Sequence, residues 1–192
     1  MGAVERAQIL PTADIQPGDV LLGLPSSGLH SNGFSLVRKV VALAGLSYAN
    51  PCPWDPSVSL ARALLEPTRI YVQSVLPATQ AGLLKGMSHI TGGGFLENVP
   101  RVLPKGMGCF IDASSWELPP VFRFLMRHGG VEPREMARTF NNGLGMVLVV
   151  APDAASRTIE ALKSAGEKDV FRIGEVTAQS GVEMRNLGVW VA

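Results

Sequence analysis

The sequence predicts an α/β (α+β) layered domain, a mixed sheet covered by helices. Short apolar runs of strand type alternate with segments of helical period, the pattern that packs helices onto a sheet. Apolar residues make up 46% of the chain and charged residues only 17%, a globular composition that can fill a sizeable core. The chain also holds 21 glycines and 14 prolines, so its elements must be short and sharply punctuated.

Residues 1–18 have no sustained period and end in the turn signal Pro17-Gly18. They read as an N-terminal arm or linker that belongs against something else, with residues 19–192 as the domain. Asp19 to Leu24 is an apolar run of buried-strand type, stopped by Pro25. Phe34, Val37, Val41 and Ala44 recur at helical spacing, with Ser31 or Asn32 as N-cap candidates and Gly45 as the terminator. Residues 47–58 carry Pro51, Pro53 and Pro56 and are expected to form a surface loop. Helices are expected over 59–65 and 69–76, with Pro67 and Pro77 where a helix would restart rather than continue.

Gly86 to Ile90 precedes the triplet Gly92 to Gly94, and Phe95 to Val99 has helical character. Further strands are expected over 107–112, 146–150, 170–176 and 182–187. Helices are expected over 119–128, 133–140 and from an Asp153 cap to Ala165. No internal repeat or low-complexity tract interrupts this order.

Charge and cysteine usage exclude several function classes. A formal net charge of +1 with scattered basic residues is no nucleic-acid footprint. Cys52 and Cys109 lack a CxxC partner or a histidine at ligand spacing, which points to two reduced thiols. The N-terminus has no apolar signal core, and Arg6 breaks the myristoylation pattern. No stretch has the length of a membrane span. These features together predict a soluble, cytoplasmic protein.

The chemistry-bearing stretch is His89 to Arg101, with its three consecutive glycines. Glycine takes positive φ freely and lets a ligand approach the backbone, and a glycine loop opening a helix presents N–H groups suited to phosphate. A tight turn with nothing bound fits the triplet equally well. Gly28 and Gly33 have the glycine spacing of a P-loop, but Phe34 stands where its lysine belongs. What remains is a hydroxyl- and amide-rich loop holding His30, which could act as a general acid/base, hydrogen-bond a substrate, or cap and order the loop. His89 could touch the same ligand or be a buried, satisfied histidine, and His128 suits a helix C-terminus. Asn98 and Arg101 could reach an anion or a sugar hydroxyl. The 16 acidic residues are spread without a close pair at a strand end, so no magnesium site is expected here.

Three blocks carry a family resemblance. They are Ser26 to Arg38 (Ser-Ser-Gly-Leu-His-Ser-Asn-Gly-Phe-Ser-Leu-Val-Arg), His89 to Arg101, and Phe140 to Met146 (Phe-Asn-Asn-Gly-Leu-Gly-Met). With Gly2 to Arg6 and Glu66 to Tyr71, they resemble the C-terminal half of phosphoribosylformylglycinamidine cyclo-ligase, also called aminoimidazole ribonucleotide synthetase. The resemblance runs collinearly over nearly the whole chain and implies that family's C-terminal domain fold. It implies ATP-dependent ring closure of formylglycinamidine ribonucleotide to aminoimidazole ribonucleotide, in de novo purine synthesis. ATP and Mg2+ are then the implied cofactors, with the metal ligands in an N-terminal half that the resemblance does not include. That half is an implied partner, and the complete enzyme an implied homodimer, with no nucleic acid or membrane involved. The chain alone would be inactive. His30 is the implied proton-transfer residue. Ser31, Asn32, Gly33, Thr91, Gly92, Gly93, Gly94, Asn98, Arg101, Asn141, Gly143 and Gly145 are the implied substrate- and phosphate-binding positions. A non-catalytic phosphoribosyl-binding or assembly module, or a related ATP-dependent enzyme such as formylglycinamidine synthetase, is the alternative.

Overall fold

The computed structural model describes residues 4–191. Met1 to Ala3 of the expected arm therefore lie outside the described residues. A six-stranded mixed sheet forms the centre, in the spatial order β4 (Gly86–His89), β6 (Leu144–Val150), β1 (Val20–Pro25), β7 (Phe171–Thr177), β5 (Gly108–Asp112) and β8 (Gly181–Arg185). All neighbours are antiparallel except β5 and β8. The α+β expectation is met, with strands 20–25, 86–89, 108–112, 144–150, 171–177 and 181–185 close to their expected places.

Successive residues of a strand face opposite sides of the sheet, and here both sides are covered. Val20, Leu22 and Leu24 of β1 join Leu148 and Val150 in one apolar cluster, under α3 (Val72–Gln80) and α7 (Ala155–Ser164). Leu21, with Val147 and Val149, faces the other cluster, formed with α1 (Phe34–Leu43), α5 (Pro120–Gly129) and α6 (Pro133–Thr139). Burial on both sides is why β1 reads as a continuous apolar run rather than an alternation.

Several local expectations are corrected. Residues 47–58 are not only loop, because β2 (Pro51–Cys52) and β3 (Asp55–Ser59) pair as a small hairpin before α2 (Leu60–Leu64). Helix α1 is entered through Gly33 at φ +74, with no side-chain cap from Ser31 or Asn32. A left-handed entry of this kind favours glycine, and the Phe140 ring fills the space where a side chain would stand. Pro77 lies inside α3 instead of starting a helix. It sits on the exposed side, while Val75 and Ala78 bury the opposite face, and that packing outweighs one lost helical hydrogen bond. Asp153 does not cap α7, because residues 152–154 form a 3-10 turn and Ala154 takes the N-cap place.

Residues 11–15 lie along the β4 edge, and Gly18 and Asp19 pair with Val176 of β7. Thr12 N–H donates to the Lys85 carbonyl at 2.7 Å, and Ile15 enters the core at 3% exposure. The fully buried Asp19 is neutralised by Lys85 Nζ at 3.0 Å. Cys52 and Cys109 are both buried and free, and burial pushes the Cys109 thiol up to about 12, which keeps it protonated and unreactive.

Candidate functional site

The topology brings the three motif loops to one end of the sheet. Pro25, the last residue of β1, stands opposite Leu144 at the start of β6, and His89, the last residue of β4, stands opposite Met146. The segments 26–33, 90–94 and 140–143 therefore leave the sheet side by side. The pairing continues past β1 through a bulge, where Ser26 N–H donates to the Gly143 carbonyl at 2.8 Å.

Asn141 stitches two of the loops. Its Oδ1 accepts from Ser26 Oγ at 3.0 Å and Gly143 N–H at 2.9 Å, while its Nδ2 donates to the Gly28 carbonyl at 2.8 Å. At 1% exposure it is expected at a ligand but is consumed in holding the loops. Asn98 behaves alike. Its Nδ2 donates to the carbonyls of Thr91, Gly92 and Gly94, and its Oδ1 accepts from Thr91 Oγ1 and Arg101. Buried at 4% exposure, it shapes the glycine loop from within. Arg101 is exposed, and one of its guanidinium nitrogens is held by Asn98.

Within the triplet the glycines have different jobs. Gly93 and Gly94 have φ of +95 and +54, and Gly94 packs so closely on α6 that a Cβ would overlap the Ala137 carbonyl. The Gly94 N–H donates to the Thr91 carbonyl at 3.0 Å, so it is spent inside the turn. Gly92 is exposed, and Asn32 Oδ1 stands 3.7 Å from where a side chain there would begin. The open side of the loop is thus the Gly92 side, facing Asn32. Helix α4 (Gly94–Asn98) has five residues and starts one residue before the expected Phe95–Val99 segment.

His30 sits at the middle of the assembly. It is 4% exposed, with φ +58. Its Nε2 accepts from Ser27 N–H at 3.2 Å and Arg69 N–H at 3.4 Å. With Nε2 accepting, a neutral ring carries its proton on Nδ1, and that buried Nδ1 has no protein partner. Its ring centroid lies 6.1 Å from His89 and 6.3 Å from Tyr71. Burial first, then the His89 and Arg69 charges, lowers its pKa to about 4. The expected acid/base role is therefore narrowed, since at neutral pH the ring is uncharged and its basic nitrogen is occupied. It is equipped to donate a hydrogen bond from Nδ1. His89, expected either at the ligand or buried and satisfied, is exposed. Ser31 is exposed, its Oγ 3.4 Å from Thr68 Oγ1. Gly145 lines the cluster, because a Cβ there would overlap Tyr71 Oη and come within 2.5 Å of His30 Cε1.

The shifted pKa has a measurable consequence. An unfolded histidine titrates near 6.5, whereas folded His30 titrates near 4. Between these values the unfolded chain binds a proton that the folded chain excludes. Stability should therefore fall as pH drops from about 6.5 to about 4, by up to about 1.4 kcal/mol per pH unit from this group. Urea midpoints at pH 7, 5.5 and 4.5 for the parent and His30→Gln measure it, and the variant should lose this part of the slope.

Sequence reasoning did not place Arg69, Tyr71 or Glu167 in the site. Tyr71 Oη donates to the Pro25 carbonyl at 2.7 Å, and burial raises the phenol's pKa. Beside these residues runs an apolar groove of about 390 Å³, lined by Arg69, Tyr71, Val75, Met87, His89 and Met146 among others. Glu66 to Tyr71 were legible as a motif, but nothing local to Glu167 marks it.

Residues 16–185 match the AIR synthase related protein, C-terminal domain. The chain belongs to this family. Solved structures share the fold. Thiamine-monophosphate kinase from Stenotrophomonas maltophilia K279a is 16% identical with a TM-score of 0.62, the match covering 94% of this chain and 54% of that one. The hydrogenase maturation protein HypE from E. coli is 20% identical with a TM-score of 0.57, covering 89% and 47%. Phosphoribosylformylglycinamidine synthase II from Thermotoga maritima is 16% identical with a TM-score of 0.56, covering 95% and 26%. T. maritima PurL, which shares the fold, has been solved with AMPPCP and with ADP. This chain spans about a quarter to a half of the length of these proteins. Among the described residues, no helix is long and apolar enough to cross a membrane, and no three His, Cys, Asp or Glu side chains cluster as a metal site.

Proposed function

We propose that this AIR synthase related domain is the C-terminal half of a phosphoribosylformylglycinamidine cyclo-ligase. The observation that carries the reading is the meeting of all three resembling blocks around one imidazole whose buried Nδ1 lacks a partner. In the reaction, ATP phosphorylates the formyl oxygen of formylglycinamidine ribonucleotide. An amidine nitrogen of the same molecule attacks that carbon, phosphate leaves with the oxygen, and loss of a proton yields aminoimidazole ribonucleotide. Oxygen becomes a good leaving group without any protein nucleophile, so the protein's work is positioning and charge stabilisation.

His30 would donate from Nδ1 to a substrate oxygen as charge builds on it. Ser31, Asn32 and Gly33 would contact substrate on one side of the cleft, and Thr91, Gly92 and Gly93 phosphate on the other. Gly94, Asn98, Asn141, Gly143 and Gly145 would keep the two walls in place, with Arg101 at the rim. The magnesium ligands are assigned to an N-terminal half, as no three His, Cys, Asp or Glu side chains cluster among the described residues. That half has a candidate landing place beside the site. Ile70, Val72 and Leu76 are 79%, 63% and 47% exposed along the apolar groove, an unusual concentration for one short segment. Val4 and Gln8 line the same helix with Leu76 and Thr79, so a preceding domain would be tethered at that face.

The test is reconstitution. The 192-residue chain with formylglycinamidine ribonucleotide, ATP and magnesium should give no aminoimidazole ribonucleotide, and adding a cyclo-ligase N-terminal half should restore turnover. Ile70→Asp should weaken that complementation. Turnover by the chain alone, or with the partner half of formylglycinamidine synthetase instead, would overturn the assignment.

A further inference from the structure

Glu167 follows α7, on the side of the sheet away from the glycine loop, yet its side chain is only 2% exposed. A buried carboxylate gains little stability over a well-packed apolar residue, even when paired. Its presence is better explained by what it orients. Glu167 Oε2 lies 2.7 Å from the Arg69 guanidinium, and Oε1 accepts from the buried Ser74 Oγ at 2.6 Å. Held by Glu167, the guanidinium donates to the Pro25 carbonyl at 3.3 Å. The Arg69 backbone N–H then points at His30 Nε2, 3.4 Å away. Ser27 completes the clamp, its N–H on Nε2 and its Oγ on the Pro67 carbonyl at 2.6 Å.

We propose that Glu167 is a positioning residue for His30, acting through Arg69 to keep the backbone donor on Nε2 and so fix the proton on Nδ1. A ring nitrogen's partner decides which tautomer is present. The chain of contacts runs from one carboxylate through one guanidinium to the two loops that meet at His30. Ser74 anchors the far oxygen of the carboxylate, so Glu167 cannot swing away without breaking two bonds at once. The Arg69 N–H contact is long at 3.4 Å, which is where a few tenths of an ångström of drift would release it.

This inference rests on the reading of His30 as a ligand donor only for its significance, and its test needs no substrate. The 15N shifts of the His30 ring report the tautomer directly in the 192-residue chain, and hydrogen exchange reports the Arg69 amide. The parent should show Nδ1–H alone. Glu167→Ala should let the Nε2–H tautomer appear and speed Arg69 amide exchange about tenfold or more. Glu167→Gln keeps the shape, and its amide can donate to Ser74 Oγ while that hydroxyl serves the Tyr71 carbonyl it already reaches at 3.0 Å. It should fold normally and show a smaller change of the same sign. A lowered melting temperature with the tautomer and the Arg69 amide unchanged in both variants would make Glu167 merely structural and overturn the proposal. Should Glu167→Ala fail to fold, an unchanged tautomer in Glu167→Gln and Ser74→Ala overturns it equally. Titrating the parent with formylglycinamidine ribonucleotide separates the two readings. A tautomer that depends on Glu167, with ring shifts indifferent to that ligand, sinks the substrate assignment and leaves the positioning role standing.

Discussion

His30→Gln in the reconstituted enzyme should lower kcat by about 10²–10³-fold, the range for removing one donor aimed at developing charge, while KM changes much less. The substitution is selective for geometric reasons. The glutamine carbonyl can occupy the place of Nε2 and accept from Ser27 N–H and Arg69 N–H, which hold that position at 3.2 and 3.4 Å. Nothing then replaces the Nδ1–H. Backbone strain at φ +58 is shared by both residues and largely cancels. The loop should therefore persist, with a melting temperature at pH 7 within a few degrees of the parent. If kcat is unchanged in a folded variant, His30 has no part in the chemistry. A kcat loss accompanied by an equal loss of stability would instead mark it as a loop-ordering side chain.

Gly94→Ala should destabilise the fold by about 2–5 kcal/mol. A left-handed conformation costs an L-residue about 1–2 kcal/mol, and forcing a methyl into a packed core costs about 1–3 more. The methyl would overlap the Ala137 carbonyl oxygen and lie 2.8 Å from the Arg138 carbonyl carbon. Both are backbone atoms of α6, so no rotamer change relieves the clash. Against a typical total of about 5–15 kcal/mol, such a loss is large and easily read from the urea midpoint. Gly92→Ala is the matched control. Its φ is not positive, and the nearest side-chain atom, Asn32 Oδ1, is 3.7 Å away, so stability should change by less than about 1 kcal/mol. Equal effects at the two positions would mean that the triplet is an ordinary turn with no packed and open sides.

That contrast defines how far the sequence could be read. Repetition and punctuation carried the elements: continuous apolar runs for doubly covered strands, the Val37-Val41 spacing for α1, and Gly129-Gly130 for the end of α5. These signals are local, because dihedral preference and one-sided burial act within a few residues. The family blocks, too, were visible as linear strings, and their residues do meet in space.

What each residue does within those blocks was decided by tertiary packing. Asn98 and Asn141 look the same in a string as a ligand-binding amide, and only the carbonyls around them show that their polar atoms are consumed. Pro77 marks a break by its local chemistry, but Val75 and Ala78 packed on the sheet carry α3 through it. Which nitrogen of His30 is free depends on Ser27 nearby and on Arg69, 39 residues further along. The orientation of Arg69 depends in turn on Glu167, a further 98 residues on. Dihedral preferences and apolar periods are written into short windows of sequence. A hydrogen-bond partner drawn from a distant segment exists only once the sheet has brought the two segments together.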